Sequence, residues 1–151
     1  YCGGPIEIIN AMRKLMGQST SNPSSISQWA TLEALNGSKD FLNLWIESFK
    51  ERRDFIVNYL NQCNGISCLN PEGAFYVYPS CEGLIGKEYK GKIISNDKDF
   101  AMILLKEKLV SVVHGGAFGL SPFFRISYAT SMDNIKLACD RIGELCDEAT
   151  S

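Results

Sequence analysis

Apolar residues recur at three- and four-residue spacing from Ile6 through Ile9, Met12, Leu15 and Met16, which predicts a short helix opened by Pro5 and stopped at Gly17. Gln18 to Asn22 is polar and turn-prone. Asn22 is then expected to cap a second helix whose first residue is Pro23 and whose apolar side is Ile26, Trp29, Ala30 and Leu32, ending at Asn36-Gly37. From Ser38, Phe41, Leu44, Trp45, Phe49, Ile56, Leu60 and Cys63 keep helical spacing as far as Gly65, with Glu47, Lys50, Glu51, Arg52 and Arg53 on wetter faces. At 1.5 Å per residue such a helix reaches about 40 Å, longer than a small core needs, so it is read as a beam between two domains.

Beyond Gly65 the pattern shortens. Strands are expected at Ile66 to Leu69 and, after the turn Asn70-Pro71-Glu72-Gly73, at Ala74 to Tyr78. Ser80 to Asn96 reads as a loop or partly ordered insertion. Asn96 and Asp97 open a helix through Leu105, and Leu109 to Val113 reads as a buried strand. His114 to Gly119 is too glycine-rich for regular structure. It leads into the strand Phe123 to Tyr128, after which Ser131 caps a last helix along Ile135, Ala138, Ile142 and Leu145. The expected class is α/β, of the α+β kind in its small domain: helices packed on a small sheet, with no internal repeat at a solenoid period.

Composition narrows the function classes. A formal net charge of -2 with no basic run argues against nucleic acid as a partner, while a single positive pocket for a small anion remains possible. The six cysteines contain no Cys-x-x-Cys pair and His114 is the only histidine, so a metal site is not expected. Cys139 and Cys146 lie two helical turns apart and read as small core side chains. Reduced thiols, the lack of a secretory signal and the lack of a long apolar run lead to the expectation of a cytoplasmic protein without a membrane span.

The most informative residue is Arg125, the only formally charged side chain between Lys108 and Asp133. Alternation along its strand puts Phe124, Ile126 and Tyr128 on one face and Phe123, Arg125 and Ser127 on the other. Desolvating a guanidinium costs several kcal/mol unless an anion meets it with good geometry. That anion is either a protein carboxylate or a ligand's carboxylate or phosphate, and the pattern alone favours neither. The Gly115-Gly116 run lacks the Lys and Ser/Thr of a phosphate loop, so its small residues are read as a sharp change of direction or a close approach of backbone to a ligand, with Phe118 either core filler or beside whatever Arg125 holds. No lysine has a local setting that would depress its pKa, and His114 has no fixed nucleophile beside it.

Several segments, in order, resemble the C-terminal portion of a class I aminotransferase of the aspartate aminotransferase family, enzymes that use pyridoxal phosphate. They are Tyr1-Cys2-Gly3-Gly4-Pro5; Ser19-Thr20-Ser21-Asn22-Pro23 running into Gln28 to Leu35; Pro71 to Pro79; Gly115-Gly116-Ala117-Phe118-Gly119; and Phe124 to Ser131. The resemblance implies that Arg125 pairs with the substrate's α-carboxylate and that Phe118 and Gly119 line the substrate side. It implies also that Ser21 and Asn22 approach the active site of the partner subunit in a homodimer. Residues 1–37 would be a remnant of the large cofactor-binding domain, 38–65 the linking helix and 66–151 the small C-terminal domain.

In such enzymes the Schiff-base lysine precedes the segment that Tyr1 to Pro5 resembles, so no catalytic residue is expected here, and the chain by itself is expected to be inactive and to bind no pyridoxal phosphate specifically. The intact enzyme would move an amino group between an amino acid and a 2-oxo acid. Relatives with a second arginine before the Ser-Asn-Pro turn differ from this chain, which has Gly17, Gln18 and Ser19 there; the Gln28 to Leu35 stretch resembles branches that use a basic residue elsewhere, and aspartate stays the first choice. His114 stands where many relatives have proline. Two alternatives remain: another aminotransferase or lyase of the same fold type, and a non-catalytic α/β binding module in which Arg125 closes an internal salt bridge.

Overall fold

The computed structural model describes residues 1–149. They divide into two compact units, Tyr1–Asn43 and the chain from Leu44 onward. In the first, α1 (Ile6–Gly17) and α2 (Ser25–Asn36) bury none of their residues. The apolar positions that predicted these helices are open, with Ile26 and Trp29 80% and 72% exposed. The second helix begins at Ser25, later than expected. Ser21 takes left-handed backbone at φ 65° and its amide donates to Met16, while the Asn22 amide donates to Thr20. Asn22 is thereby committed to the turn that closes α1; Ser24 takes the N-cap position without a side-chain bond, and the Gln28 side chain donates to the Pro23 carbonyl at 2.9 Å.

The third helix, α3 (Asp40–Leu60), is 21 residues long, about 31 Å at the usual rise rather than 40 Å. Ser38 caps it by accepting from the Asp40 amide at 3.2 Å. It ends before Gly65 because Asn61 turns to the following segment, donating to the Cys68 carbonyl and accepting from the Cys68 amide, both at 2.8 Å. A side chain that offers backbone groups such partners competes with the helix.

The second unit is built on an antiparallel three-stranded sheet in the order β1-β5-β4, with β1 at Tyr76–Val77, β4 at Val113–His114 and β5 at Phe124–Ser127. The pairing sets Tyr76 opposite Ser127 and Val113 opposite Arg125. A second, two-stranded sheet, β2 (Glu88–Tyr89) and β3 (Lys92–Ile93), lies in the stretch read from sequence as a loop or partly ordered insertion. Lys90 and Gly91, both at positive φ, make its tight turn. Leu84, Tyr89 and Ile94 anchor this stretch in the core, which is why it is ordered.

All four expected strands are shorter than foreseen, with Ala74 to Tyr78 narrowing to Tyr76–Val77 and Phe123 to Tyr128 to Phe124–Ser127. Ser67 makes only an isolated bridge to Ser80 within Ile66 to Leu69. In Leu109 to Val113 only Val113 pairs, because the chain leaving α4 (Asp97–Glu107) needs Leu109 at φ 55° to reverse, and the Val110 amide is spent on the Leu104 carbonyl. Helix α5 (Met132–Glu148) is capped by Ser131 as expected. The core joins Leu60 of α3, Phe100 and Leu104 of α4, and Ile135, Cys139 and Ile142 of α5 with Val77, Phe124 and Ile126 of the sheet. Phe100 packs on Phe124 with ring centroids 4.9 Å apart. Among the described residues no helix is long and apolar enough to cross a membrane.

Candidate functional site

The central strand β5 decides what its outer face can do. Phe124 and Ile126 are buried, so the two-residue period turns Arg125 out of the core. Its guanidinium carbon lies 4.6 Å from the Phe118 ring centroid and 5.4 Å from that of Tyr76. Both rings present π-faces within cation–π range, a sequestered but not closed setting for a planar cation. No carboxylate among the described residues forms an ion pair with it. An internal salt bridge to Arg125 therefore has no partner among those residues.

Tyr76 comes from β1 and Phe118 from a 3-10 turn, Gly115–Phe118, that follows β4 directly. The turn is possible because of its glycines. A side chain on Gly115 would collide with the Leu120 carbonyl, and Gly119 closes the turn at φ 78°. The Gly115 amide donates to the Phe123 carbonyl at 2.6 Å, and the Tyr78 hydroxyl lies 3.2 Å from the Gly115 carbonyl. Tyr78 stacks on Phe123 at 5.5 Å and meets Phe118 edge-on at 6.3 Å. Burial first, then the charge of Asp97, pushes the Tyr78 hydroxyl up in pKa, with Arg125 pulling the other way.

Asp97 ties the far side of this turn. Its carboxylate accepts from the Gly116 amide and from the Ser121 hydroxyl, each at 2.7 Å. Burial would push this carboxyl up, but the Ser121 and Gly116 hydrogen bonds outweigh it, helped by a bond to its own backbone and by His114, and the pKa lies below the usual carboxylate range. His114 Nδ1 is buried without a hydrogen-bond partner among the described residues, 3.9 Å from Asp97 Oδ2.

Of the residues singled out from the sequence, Arg125, Phe118 and Gly119 lie in the second unit, with Arg125 and Phe118 in contact. Ser21 and Asn22 lie in the first, exposed on the turn between α1 and α2. Tyr76, Tyr78, Asp97 and Ser121 are additions. The tyrosines carried a signal, since Tyr76 and Tyr78 alternate as Phe123, Arg125 and Ser127 do. Asp97 carried none, since an acid beside Asn96 at a helix start needs no further explanation; in the structure Asn96 alone caps α4, accepting from the Asp99 amide at 2.9 Å, and Asp97 has no capping task.

The family model "Aminotransferase class I and II" matches residues 1–142. A probable aspartate/prephenate aminotransferase of Rhizobium leguminosarum bv. phaseoli is 55% identical over 147 residues, 97% of this chain and 37% of that protein. An aspartate/prephenate aminotransferase of Cereibacter sphaeroides is 53% identical over the same shares, 97% and 37%. The crystal structure of the aspartate aminotransferase from Rhizobium meliloti superposes with a TM-score of 0.96 at 53% identity, covering 98% of this chain and 37% of that one. The chain thus spans little more than a third of the length of these relatives.

The lowered Asp97 pKa gives a pH test. Because the folded value lies below the unfolded one, the stabilisation is present above about pH 4 and is lost as pH falls through the folded value. The stability gap between the natural chain and Asp97→Asn, measured by urea unfolding, should narrow as pH drops below about 4. A gap that stays constant down to the acid limb would contradict this electrostatic role.

Proposed function

The chain belongs to the class I and II aminotransferases, and on that premise we propose that it is the C-terminal part of a longer pyridoxal-phosphate enzyme in which Arg125 receives the α-carboxylate of the amino acid substrate. The observation that carries this reading is a guanidinium held between Tyr76 and Phe118 with no carboxylate of the described residues paired to it. A carboxylate is the planar anion that matches it through two parallel hydrogen bonds. Gripping the substrate there fixes the orientation of its Cα at the reacting centre, the form of catalysis that binding residues supply.

The chain's own residues suit the substrate rather than the cofactor. None of its ten lysines is buried. Lys108, one of the less exposed, is held by Glu144 and Glu148 at 3.0 and 2.9 Å. A lysine that forms a Schiff base needs a desolvated pocket to depress its pKa. Pyridoxal phosphate is therefore assigned to residues outside this chain, and no step is assigned to it here.

The substrate proposed is aspartate, with a 2-oxo acid as the other partner. Relatives at 53–55% identity carry names that pair aspartate with prephenate, which favours prephenate as a second acceptor. With Gly17, Gln18 and Ser19 before the Ser-Asn-Pro turn, a group outside this chain would hold the distal carboxylate. The bare apolar sides of α1 and α2 suit a helical remnant of a large domain, 1–37, covered by the rest of the protein, and the Ser21-Asn22 turn suits an approach to the partner subunit of a homodimer. All six cysteines are free and four are buried, which supports a reducing, cytoplasmic setting.

In the full-length enzyme, Arg125→Ala should lower kcat/KM for aspartate by the equivalent of about 2–5 kcal/mol, the scale for stripping one partner from a buried charged pair. Steady-state kinetics with an unchanged specificity constant would refute the role. The 151-residue chain mixed with pyridoxal phosphate and reduced with borohydride should carry no stoichiometric label on one lysine. A single lysine labelled one-to-one, found by peptide mass mapping, would overturn the assignment of the cofactor to residues elsewhere.

A further inference from the structure

Phe118 makes one wall beside the Arg125 guanidinium, yet its own side chain is 51% exposed and so is not fixed by burial. The opposite wall, Tyr76, sits on a strand paired to β5, whereas Phe118 sits on a turn between Gly115 and Gly119. A turn of this composition has wide conformational freedom unless something outside it holds it. Asp97 is placed to do so. It is 3% exposed, and a carboxylate that deep is costly to desolvate unless its oxygens are satisfied.

Both of its oxygens are satisfied by the segment that carries Phe118: one takes the Gly116 amide and the other the Ser121 hydroxyl, each at 2.7 Å. The two donors bracket Phe118 in sequence, so a single carboxylate on the rigid start of α4 ties down both flanks of the ring. The capping of α4 is done by Asn96, which frees Asp97 for this purpose.

We infer that Asp97 is a positioning residue for substrate binding, latching the Gly116–Ser121 segment so that the Phe118 ring holds the Arg125 guanidinium in its receiving orientation. The inference rests on the reading of Arg125 as the carboxylate anchor and adds the residue that keeps that anchor aimed. With the latch open, Phe118 leaves the guanidinium, Arg125 samples more side-chain orientations, and the entropy of ordering it falls on each binding event.

The test uses the full-length holoenzyme and two readouts, KM for aspartate and the Kd of an unreactive dicarboxylate, maleate, by calorimetry. Asp97→Ala, which removes both ties, should raise both about tenfold, with a smaller change in kcat. Ser121→Ala, which removes one of the two ties and threatens the fold less, should raise both about threefold. In a Phe118→Ala background, neither substitution should weaken binding further, because the latch acts through that ring.

A role confined to folding would lower the thermal midpoint while leaving KM and Kd alone, and that result, for Asp97→Ala or for Ser121→Ala if the former does not fold, overturns the inference. Additive losses in the Phe118→Ala background overturn it as well. If Arg125→Ala itself binds maleate normally, the underlying reading of Arg125 fails instead, so the two failures are told apart.

Discussion

The site depends on the alternation of one strand. Phe124 and Ile126 on β5 are driven into the core against α4 and α5, and their burial leaves Arg125 no inward orientation. Because β5 is the middle strand of its sheet, both neighbours contribute to its outer face: β1 brings Tyr76, and β4 runs directly into the turn that brings Phe118. Hydrophobic burial on one side thus aims a charge on the other. A one-residue slip of β5 would bury the guanidinium and expose two core side chains, a cost of several kcal/mol that fixes the register.

Around this strand, the glycine-rich turn trades conformational freedom for proximity. Gly115 lets the chain pass within hydrogen-bonding distance of Phe123, and Gly119 supplies the left-handed residue that sends the chain back into β5. Such a turn is loose on its own. Tyr78 and Asp97 hold it from two sides, the first through ring packing on Phe118 and Phe123, the second through a buried carboxylate. Ties of this kind are what a binding site needs if its side chains are to be set before the ligand arrives.

The class of fold and the outer face of β5 were legible because both follow from periodicity. Arg125 stood out for its charge in an apolar run, and Phe118 for its place after the glycines. What was not legible depends on long-range partners. The length of α3 turned on Asn61, whose amide finds Cys68. The start of α2 turned on a positive φ at Ser21. The stretch from Ser80 to Asn96 looked like an insertion because its buried residues, Leu84, Tyr89 and Ile94, are spaced among lysines and glycines rather than in a regular period. Asp97 looked like any acid at a helix start, and only the fold shows that its carboxylate faces a turn 19 residues away.

The central claim is that the Arg125 guanidinium is set to receive a carboxylate arriving from solution. A crystal structure of the full-length enzyme with maleate bound tests it most directly. Two parallel N–H···O contacts of about 2.7–2.9 Å from Arg125 to one maleate carboxylate, with Tyr76 and Phe118 still beside it, are the expected result. Maleate bound away from Arg125, with the guanidinium paired to an acidic side chain of its own subunit, would contradict the account.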